Sequence, residues 1–296
     1  MAERVGIVGM GLMGQAMLAN LLREGYAVQG FDVDSRRMDQ LRAHGGEPVE
    51  SPAATARGVG LVLTSLPTSA DVRDVVLGKD GIVEGAGEGL LIVDTTTSRP
   101  EDSAALAEEL APRGIHFVDA AVSGTSEMAK SKDLIVIAGG RAEDFESCRQ
   151  VLAGFSRAAY YMGPSGSGAL TKLVINLVLM GNAFALMEGM VLGMKAGIDG
   201  ERLIDVLKDG AAGSKVMDQK GHKLIEADYE PEGRLTIAMK DVGLMLEQGR
   251  RYGTPMLLTS LYFQVASSAA QLGYKDLDYS VIMELLREMA GLPRRA

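Results

Sequence analysis

Three glycines in the stretch RVGIVGMGLMGQAM, residues 4–17, have the spacing of a phosphate-binding loop. Gly9, Gly11 and Gly14 follow a short apolar strand and open a predicted helix. In such a loop the first glycine allows a tight turn, the second lets the backbone approach a pyrophosphate, and the third lets helix and strand pack closely. The helix N-terminus adds free N–H groups and the positive end of a dipole. The stretch therefore predicts a dinucleotide site, with a purely structural turn as the alternative.

A carboxylate stands at the end of the next predicted strand, AVQGFD, which finishes at Asp32. A carboxylate there can accept hydrogen bonds from the hydroxyls of the adenosine ribose, and it repels the 2′-phosphate of NADP. NAD is therefore the predicted cofactor. Arg36 and Arg37 follow closely and could offset the repulsion, so that NADP is also possible. A solvated helix face is the favoured interpretation of these two arginines.

The segment DAAVSGT, residues 119–125, follows a predicted strand and ends in small residues. Backbone N–H groups around Ser123, Gly124 and Thr125, together with the two hydroxyls, could cradle a carboxylate. Taken alone, the segment is more typical of an ordinary strand-to-turn junction.

The segment TKLVIN, residues 171–176, places Lys172 and Asn176 four residues apart, on one face of a helix. Apolar neighbours indicate that this helix is largely buried. A lysine in such a helix either extends its ammonium to solvent or is held for chemistry. From the residues alone, the extended lysine is the favoured interpretation.

Strand and helix patterns alternate over the first 160 or so residues, which predicts βαβ units and a mostly parallel sheet. After the turn YMGPSGSGA, only helical patterns follow, and the first is long. The fold class is thus an α/β Rossmann-type N-terminal domain and an all-α C-terminal domain. We place the domains at residues 1–163 and 164–296.

The composition limits the classes of partner and the cellular location that we expect for this protein. The net charge of −9 argues against nucleic acid, and the apolar stretch at 173–194 contains Asn176, Asn182 and Glu188, which favours a buried helix over a membrane span. Cys148 is the only cysteine, which fits a reducing compartment, and we expect a cytoplasmic protein. The sequence predicts no metal, since its histidines have no metal-ligand spacing and are interpreted as structural: His44, His116 and His222.

The glycine motif, DAAVSG, the K-x-x-x-N pair, the turn GAAGS at 210–214 and the dipeptide Lys240–Asp241 occur in an order and spacing that resemble one family. The chain resembles the β-hydroxyacid dehydrogenases, the group of 3-hydroxyisobutyrate dehydrogenase and tartronate semialdehyde reductase. The resemblance implies a Rossmann-type domain joined by a long helix to a helical domain, with the active site in the cleft between them. It also implies a homodimer or homotetramer, and a small carboxylate as substrate.

Carried over by position, the resemblance makes Lys172 the catalytic lysine and Asn176 its companion, while Ser123 and Gly124, with Thr125, bind the substrate carboxylate. A lysine has an ordinary pKa of about 10.4, so the role of base needs surroundings that favour the neutral amine. The remaining implied residues contact the cofactor: Gly9, Met10, Gly11, Leu12, Met13, Gly14, Asp32, Leu66, Pro67, Thr97 and Lys240.

The expected activity is NAD-dependent interconversion of a short 3-hydroxy acid and its semialdehyde, with Lys172 as general acid and base. The alternatives are an NADPH-dependent reductase of glyoxylate, succinic semialdehyde or tartronate semialdehyde, and, more distantly, a non-catalytic cofactor-binding scaffold. Ala121 and Thr125 stand where the family commonly has Pro and Gly, and Lys215 stands where some members carry Trp. Drift at the pocket rim is one interpretation, and contact of Lys215 with a second anionic group of the substrate is the other.

Overall fold

The computed structural model describes residues 3–295 and divides the chain into two compact units after Lys172. The first unit is a three-layer α/β structure and the second is helical. The division lies inside the longest helix, which begins at Ser167. The predicted boundary after residue 163 lies in the turn before this helix, and the two predicted domain ranges stay a prediction.

One eight-stranded sheet forms the centre of the first unit, in the order β3-β2-β1-β4-β5-β6-β7-β8. All neighbouring strands are parallel except β6 and β7, which are antiparallel. Strand order reverses between β1 and β4, and ligands of such sheets bind outside the carboxyl ends of the strands at this point. The strands are β1 (Arg4–Val8), β2 (Ala27–Phe31), β3 (Glu47–Pro48), β4 (Leu61–Thr64), β5 (Leu91–Asp94), β6 (His116–Ser123), β7 (Ile135–Gly139) and β8 (Ala158–Tyr161).

Helices cover both faces of the sheet because successive side chains of each strand point to opposite sides. On β4, Leu61 and Leu63 join one core while Val62 joins the other. The first core packs α1, α2 and α8, and the second packs α4, α5 and α6. The helices are α1 (Leu12–Arg23), α2 (Ser35–Ala43), α3 (Pro52–Ala56), α4 (Ser69–Leu77), α5 (Ile82–Gly85), α6 (Pro100–Leu110), α7 (Ser126–Lys130) and α8 (Ala142–Phe155).

The second unit is built from the long helix α9 and the helices that follow it. From residue 164 to residue 295 the regular structure is helical, apart from one isolated β-bridge between Arg234 and Asp278. A single core of leucines, methionines and aromatic residues joins these helices. They are α9 (Ser167–Lys195), α10 (Gly200–Asp209), α11 (Lys215–Glu226), α12 (Leu235–Tyr252), α13 (Leu257–Ala269) and α14 (Ile282–Met289).

The helix α9 is long and apolar enough to cross a membrane by length and composition alone. Its buried side chains, among them Leu173, Phe184 and Met190, belong to the core of the second unit. That packing is typical of the core helix of a globular protein, which passes the same test of length and composition.

The fold class predicted from the sequence is confirmed, and two strands add to it. The strand β3 has only two residues, Glu47 and Pro48, which is too short for an alternating pattern. The strand β8 is the AAYY segment directly before the glycine-rich turn, and its two tyrosines are exposed at the edge of the sheet. Neither strand has the alternation of buried apolar and exposed polar residues that a sequence pattern would reveal, since in β8 the core contacts are limited to Ala159 and Tyr161.

Candidate active site

The glycine loop joins β1 to α1 and has the geometry that its spacing predicts. Gly9 has φ +94°, and a Cβ on it would lie 2.2 Å from the carbonyl oxygen of Ser65. A Cβ on Gly14 would lie 2.0 Å from the carbonyl oxygen of Gly9, so helix and loop pack in direct contact. A Cβ on Gly11 would meet nothing within 4 Å. Packing therefore requires glycine at the first and third positions, and the second is open for a ligand's approach.

Other residues of this loop divide between core and surface. Met10 is buried in the core beneath the loop, and Met13 packs partly against the same core. Leu12, the first residue of α1, is 72% exposed. Its exposure at the helix N-terminus suits contact with a ligand bound there, which is the role that the resemblance gives it.

Asp32 directly follows β2 and is fixed to the glycine loop. Its carboxylate accepts the backbone N–H of Met10 at 2.7 Å and that of Asp34 at 2.9 Å. Arg37 lies 3.1 Å away and forms an ion pair with the same carboxylate. The favoured interpretation of the two arginines thus fits Arg36, whose side chain is 87% exposed, and not Arg37. Arg37 partly neutralises the negative charge of Asp32, which is the basis of the predicted preference for NAD.

The carboxyl ends of β4 and β5 continue this ligand-facing edge of the sheet. The N–H of Leu66 donates to the hydroxyl of Thr96 at 3.0 Å, which ties the SLP loop to the end of β5. Thr64 donates to Asp94 at 2.8 Å. Burial raises the pKa of Asp94, although hydrogen bonds from its neighbours oppose that shift. Pro67 is exposed and Thr97 half-buried, so both predicted cofactor residues lie at the surface of this edge.

The DAAVSGT segment forms the end of β6 and the turn after it. Gly124 has φ +140°, a conformation that L side chains rarely adopt. The hydroxyl of Thr125 accepts the N–H of Met128 at 3.3 Å and so caps the short helix α7. Ser123 is half-buried at the last position of β6. The hydroxyl oxygen of Thr125 is thus used within the fold, while its hydrogen stays able to donate to a carboxylate.

Asp119, the first residue of the same segment, was not among the predicted site residues. It is buried and accepts the N–H groups of Gly166 and Ala169, each at 2.8 Å. Burial raises its pKa to about 6, against the effect of these two hydrogen bonds. The sequence shows Asp119 only as the first residue of the DAAVSGT segment. Its burial and its hydrogen bonds, which mark it as a candidate site residue, are visible only in the structure.

The second unit brings together two predicted site residues that are far apart in sequence. The amide nitrogen of Asn176 on α9 donates to Asp241 Oδ2 at 2.9 Å, and Lys240 Nζ lies 3.2 Å from Asp241 Oδ1. Asn176 and Asp241 are 7% and 6% exposed. The hydrogen bond orients the amide of Asn176 and leaves its oxygen as an acceptor. Asp241 is thus a further candidate residue, and the KD dipeptide was the signal for it.

Lys172 is half-buried on α9, one helical turn before Asn176. Lys215 is exposed at the first position of α11, directly after Ser214, whose hydroxyl caps the helix. Two histidines lie within hydrogen-bonding distance of a carboxylate: His116 Nδ1 is 2.9 Å from Asp144 Oδ1, and His222 Nδ1 is 2.9 Å from Glu201 Oε2. Among residues 3–295 no three side chains of His, Cys, Asp or Glu group as metal ligands.

Models of two protein families match almost the whole chain. The first, described as the NAD binding domain of 6-phosphogluconate dehydrogenase, matches residues 4–163. The second, described as NAD-binding of NADP-dependent 3-hydroxyisobutyrate dehydrogenase, matches residues 166–286. The chain belongs to the β-hydroxyacid dehydrogenase family. As a β-hydroxyacid dehydrogenase it is an NAD(P)-dependent oxidoreductase that acts on a CH–OH group of a small molecule.

Curated relatives of this β-hydroxyacid dehydrogenase match it over nearly their whole length. The 2-(hydroxymethyl)glutarate dehydrogenase of Eubacterium barkeri is 30% identical over 98% of this chain and 96% of the relative. Glyoxylate/succinic semialdehyde reductase 1 of Arabidopsis thaliana is 31% identical over 96% and 98%. The solved 3-hydroxyisobutyrate dehydrogenase of Mycobacterium tuberculosis, with L-serine, is 26% identical over 97% and 100%, with a TM-score of 0.89.

The residues present fit the cofactor that the family implies. The open space at Gly11 and the exposed start of α1 suit a pyrophosphate, and Asp32 stands where a ribose hydroxyl would be recognised. NAD is therefore the cofactor that these residues favour, and Arg37 keeps NADP possible.

Proposed function

We propose that this protein is an NAD-dependent dehydrogenase that interconverts a short 3-hydroxy acid and its semialdehyde, with Lys172 as general acid and base. The observation that carries the proposal is the placement of Lys172 and Asn176 one turn apart on α9, with Asn176 held by Asp241 beside Lys240. A scaffold that only binds a dinucleotide has no chemical need for this arrangement of two cations, an amide and a buried carboxylate.

Each proposed residue has a step that its chemistry suits. The cofactor would supply the redox chemistry: its oxidised form, NAD⁺, takes up the hydride when the alcohol is oxidised, and its reduced form, NADH, gives the hydride back when the aldehyde is reduced. During reduction of an aldehyde, negative charge grows on the carbonyl oxygen, where the ammonium of Lys172 stabilises it and then donates the proton. During oxidation the neutral amine of Lys172 accepts the proton of the alcohol. Asn176 orients the reacting oxygen, while Ser123, Gly124 and Thr125 hold the carboxylate.

A second candidate is an NADPH-dependent reductase of glyoxylate, succinic semialdehyde or tartronate semialdehyde. The observation that favours it is the ion pair of Arg37 with Asp32, because a guanidinium there can contact a 2′-phosphate. The relative from Arabidopsis named for glyoxylate and succinic semialdehyde supports the same candidate. Cofactor preference and substrate panel together separate the two.

We further propose a homodimer or homotetramer in the cytoplasm. Apolar side chains are exposed along α9 and α13, and a second copy of the chain would cover them. Val174 and Val178 on α9 are 53% and 54% exposed, and Leu257 on α13 is 82% exposed. The lone and buried Cys148 suits a reducing compartment. Light scattering at micromolar concentration tests the assembly, and a monomeric mass would contradict it.

The function is tested by measuring the initial rate of oxidation of each substrate in a panel, once with NAD and once with NADP. The substrates are 3-hydroxyisobutyrate, glycerate, 3-hydroxypropionate and 4-hydroxybutyrate. We expect NAD-dependent turnover of at least one of them, and a loss of at least about a hundredfold in Lys172→Ala, since an acid–base group contributes on the order of 10²–10⁴. Lys195→Ala, at the exposed end of the same helix, is the matched control. Tight NADH binding without turnover on any substrate would contradict the proposal.

The proposed contact of Lys215 with a second anionic group has its own test. The relative from Eubacterium is named for a dicarboxylate, which makes 2-(hydroxymethyl)glutarate a suitable substrate to add. We expect Lys215→Ala to raise KM for this dianion and not for 3-hydroxyisobutyrate. Equal KM changes for the two substrates would contradict a contact between Lys215 and a second anionic group.

A further inference from the structure

Asp119 connects the first turn of α9 to strand β6 by hydrogen bonds to both carboxylate oxygens. Oδ1 accepts the N–H of Gly166 and Oδ2 accepts the N–H of Ala169, both at 2.8 Å. The first N–H groups of a helix have no partner within the helix, so a cap must come from elsewhere. Here it comes from a strand 47 and 50 residues away in sequence. Asp119 itself is 2% exposed.

The backbones around these two hydrogen bonds are packed so closely that a Cβ has no room between them. A Cβ on Gly168 would lie 2.5 Å from the carbonyl oxygen of Asp119 and 2.6 Å from that of Ile137. A Cβ on Gly139 would lie 2.7 Å from the backbone nitrogen of Gly168. The first turn of α9 therefore lies directly on the backbones of β6 and β7, with no side chain between them.

Two proposed parts of the active site are connected through this clamp. Ser123 ends the strand that carries Asp119. Lys172 follows Ala169 by three residues, an axial distance of about 4.5 Å along the helix. All of these residues belong to the first compact unit. The turn proposed to bind the substrate carboxylate and the lysine proposed to move the proton are thus fixed to each other through one carboxylate.

We propose that Asp119 is a positioning residue of the reaction, whose carboxylate clamps α9 on β6 and so sets the place of Lys172 relative to Ser123 and Gly124. This inference rests on the proposed function. Aspartate suits the clamp because its two oxygens can accept two N–H groups at once. Asparagine has one acceptor oxygen, and its amide N–H₂ would face the second N–H group. A hydroxyl side chain is too short to reach two donors that are three residues apart.

The experiment compares Asp119→Asn and Asp119→Ala with the natural protein. A misplacement of about 1 Å in a catalytic group can cost on the order of a hundredfold in rate. We expect kcat to fall by about 30-fold or more in Asp119→Ala and by less in Asp119→Asn, which keeps one acceptor. KM for NAD should change by less than about threefold, because the glycine loop is separate from the clamp. A purely structural role would lower the melting temperature and leave kcat of the folded fraction unchanged.

Hydrogen exchange provides a readout that needs no turnover. The amide protons of Gly166 and Ala169 should both exchange faster in Asp119→Ala, which removes both acceptor oxygens. In Asp119→Asn, which keeps one acceptor oxygen, at least one of the two amide protons should exchange faster. The matched control is Asp199→Asn, which alters a carboxylate that caps α10 by accepting the N–H of Arg202 at 3.0 Å. Its kcat and its exchange at Gly166 and Ala169 should match the natural protein.

Two results would overturn the role of Asp119. One is unchanged exchange at Gly166 and Ala169 in the variants. The other is unchanged kcat in folded Asp119→Ala, or in Asp119→Asn if the alanine variant fails to fold. A natural protein that is inactive on every hydroxy acid would contradict the proposed function instead, and the exchange result would still decide whether Asp119 holds α9.

Discussion

The two units of this protein build their candidate site residues in different ways. In the first unit, residues close in sequence form the glycine loop, and backbone geometry fixes each one, as at Gly9 and Gly14. In the second unit, Asn176 and Asp241 lie 65 residues apart and meet only because α9 packs against α12. The first arrangement can be recognised as a motif, whereas the second depends on a helical core. Substitutions in the two units should therefore have different effects on stability, cofactor binding and turnover.

The largest expected effect is that of Gly9→Ala. The new Cβ would lie 2.2 Å from the carbonyl oxygen of Ser65 at a residue with φ +94°, so the loop must move. We expect a loss of at least about 3 kcal/mol in the free energy of unfolding, because steric overlap and backbone strain act together. Denaturant unfolding measures it.

Gly11→Ala is the matched control in the same loop, because its Cβ meets nothing within 4 Å. Its free energy of unfolding should change by less than about 1 kcal/mol, while the dissociation constant of NADH should rise at least about tenfold if a pyrophosphate approaches this position. Equal destabilisation by the two alanines would contradict the division of roles among the glycines.

A change of pH should affect the first unit through Asp119, whose pKa is raised to about 6 in the folded state by burial. Between its ordinary pKa and about 6, the folded state binds more protons than the unfolded state, so this group's contribution to stability falls as pH rises. The difference between the ordinary pKa of an aspartate and a pKa of about 6 corresponds to about 3 kcal/mol. Burial also raises the pKa of Asp94, so the contribution of Asp94 to stability has the same sign of pH dependence.

Asp119→Asn isolates the contribution of this one carboxyl, since Asp94 is retained. We expect the free energy of unfolding of the natural protein to fall more than that of the variant between about pH 4 and about pH 7. Urea unfolding across this range, fitted at each pH, measures the difference. Parallel curves for the two proteins would show that Asp119 does not titrate there.

The second unit is probed by Asp241→Asn, which removes the charge beside Lys240 and weakens the orientation of Asn176. We expect kcat/KM for the hydroxy acid to fall by about 10- to 30-fold, with a smaller change in NADH affinity, because the variant keeps both the glycine loop and Lys240. Asp205→Asn, an exposed carboxylate on α10, is the control. A loss confined to NADH affinity would show that Asp241 serves the cofactor instead.

Sequence reasoning succeeded where local chemistry determines local geometry. The glycine loop, the strand before Asp32 and the long helix after the glycine-rich turn all depend on neighbours in the chain. The structure has each of them, with β2 ending at Phe31 and α9 beginning at Ser167. Three other contacts depend on how the chain folds and on where long side chains lie. They are the hydrogen bond of Asn176 with Asp241, the clamp of Asp119 on α9 and the ion pair of Arg37 with Asp32. A sequence gives residue types but no distances between residues that are far apart in the chain, so these contacts could be identified only from the structure.

Arg37→Ala tests one of those contacts with a smaller expected effect. If Arg37 admits NADP by offsetting the charge of Asp32, its loss should lower kcat/KM with NADP by about tenfold and that with NAD by less than about threefold. Arg36→Ala, whose side chain is 87% exposed, is the matched control. Equal losses with the two cofactors would assign Arg37 to stability of the loop and not to cofactor preference.

The smallest effect is expected at Tyr262, deep in the helical core. The tyrosine is 2% exposed, and its hydroxyl has no hydrogen-bond partner among the described residues. Burial raises the pKa of Tyr262, so the group stays neutral. Tyr262→Phe keeps the ring against Phe184 and removes a buried polar atom, so the free energy of unfolding should rise by up to about 1 kcal/mol. Thermal unfolding at matched concentration measures this, and a clear loss of stability would reveal a hydroxyl that the helical core uses after all.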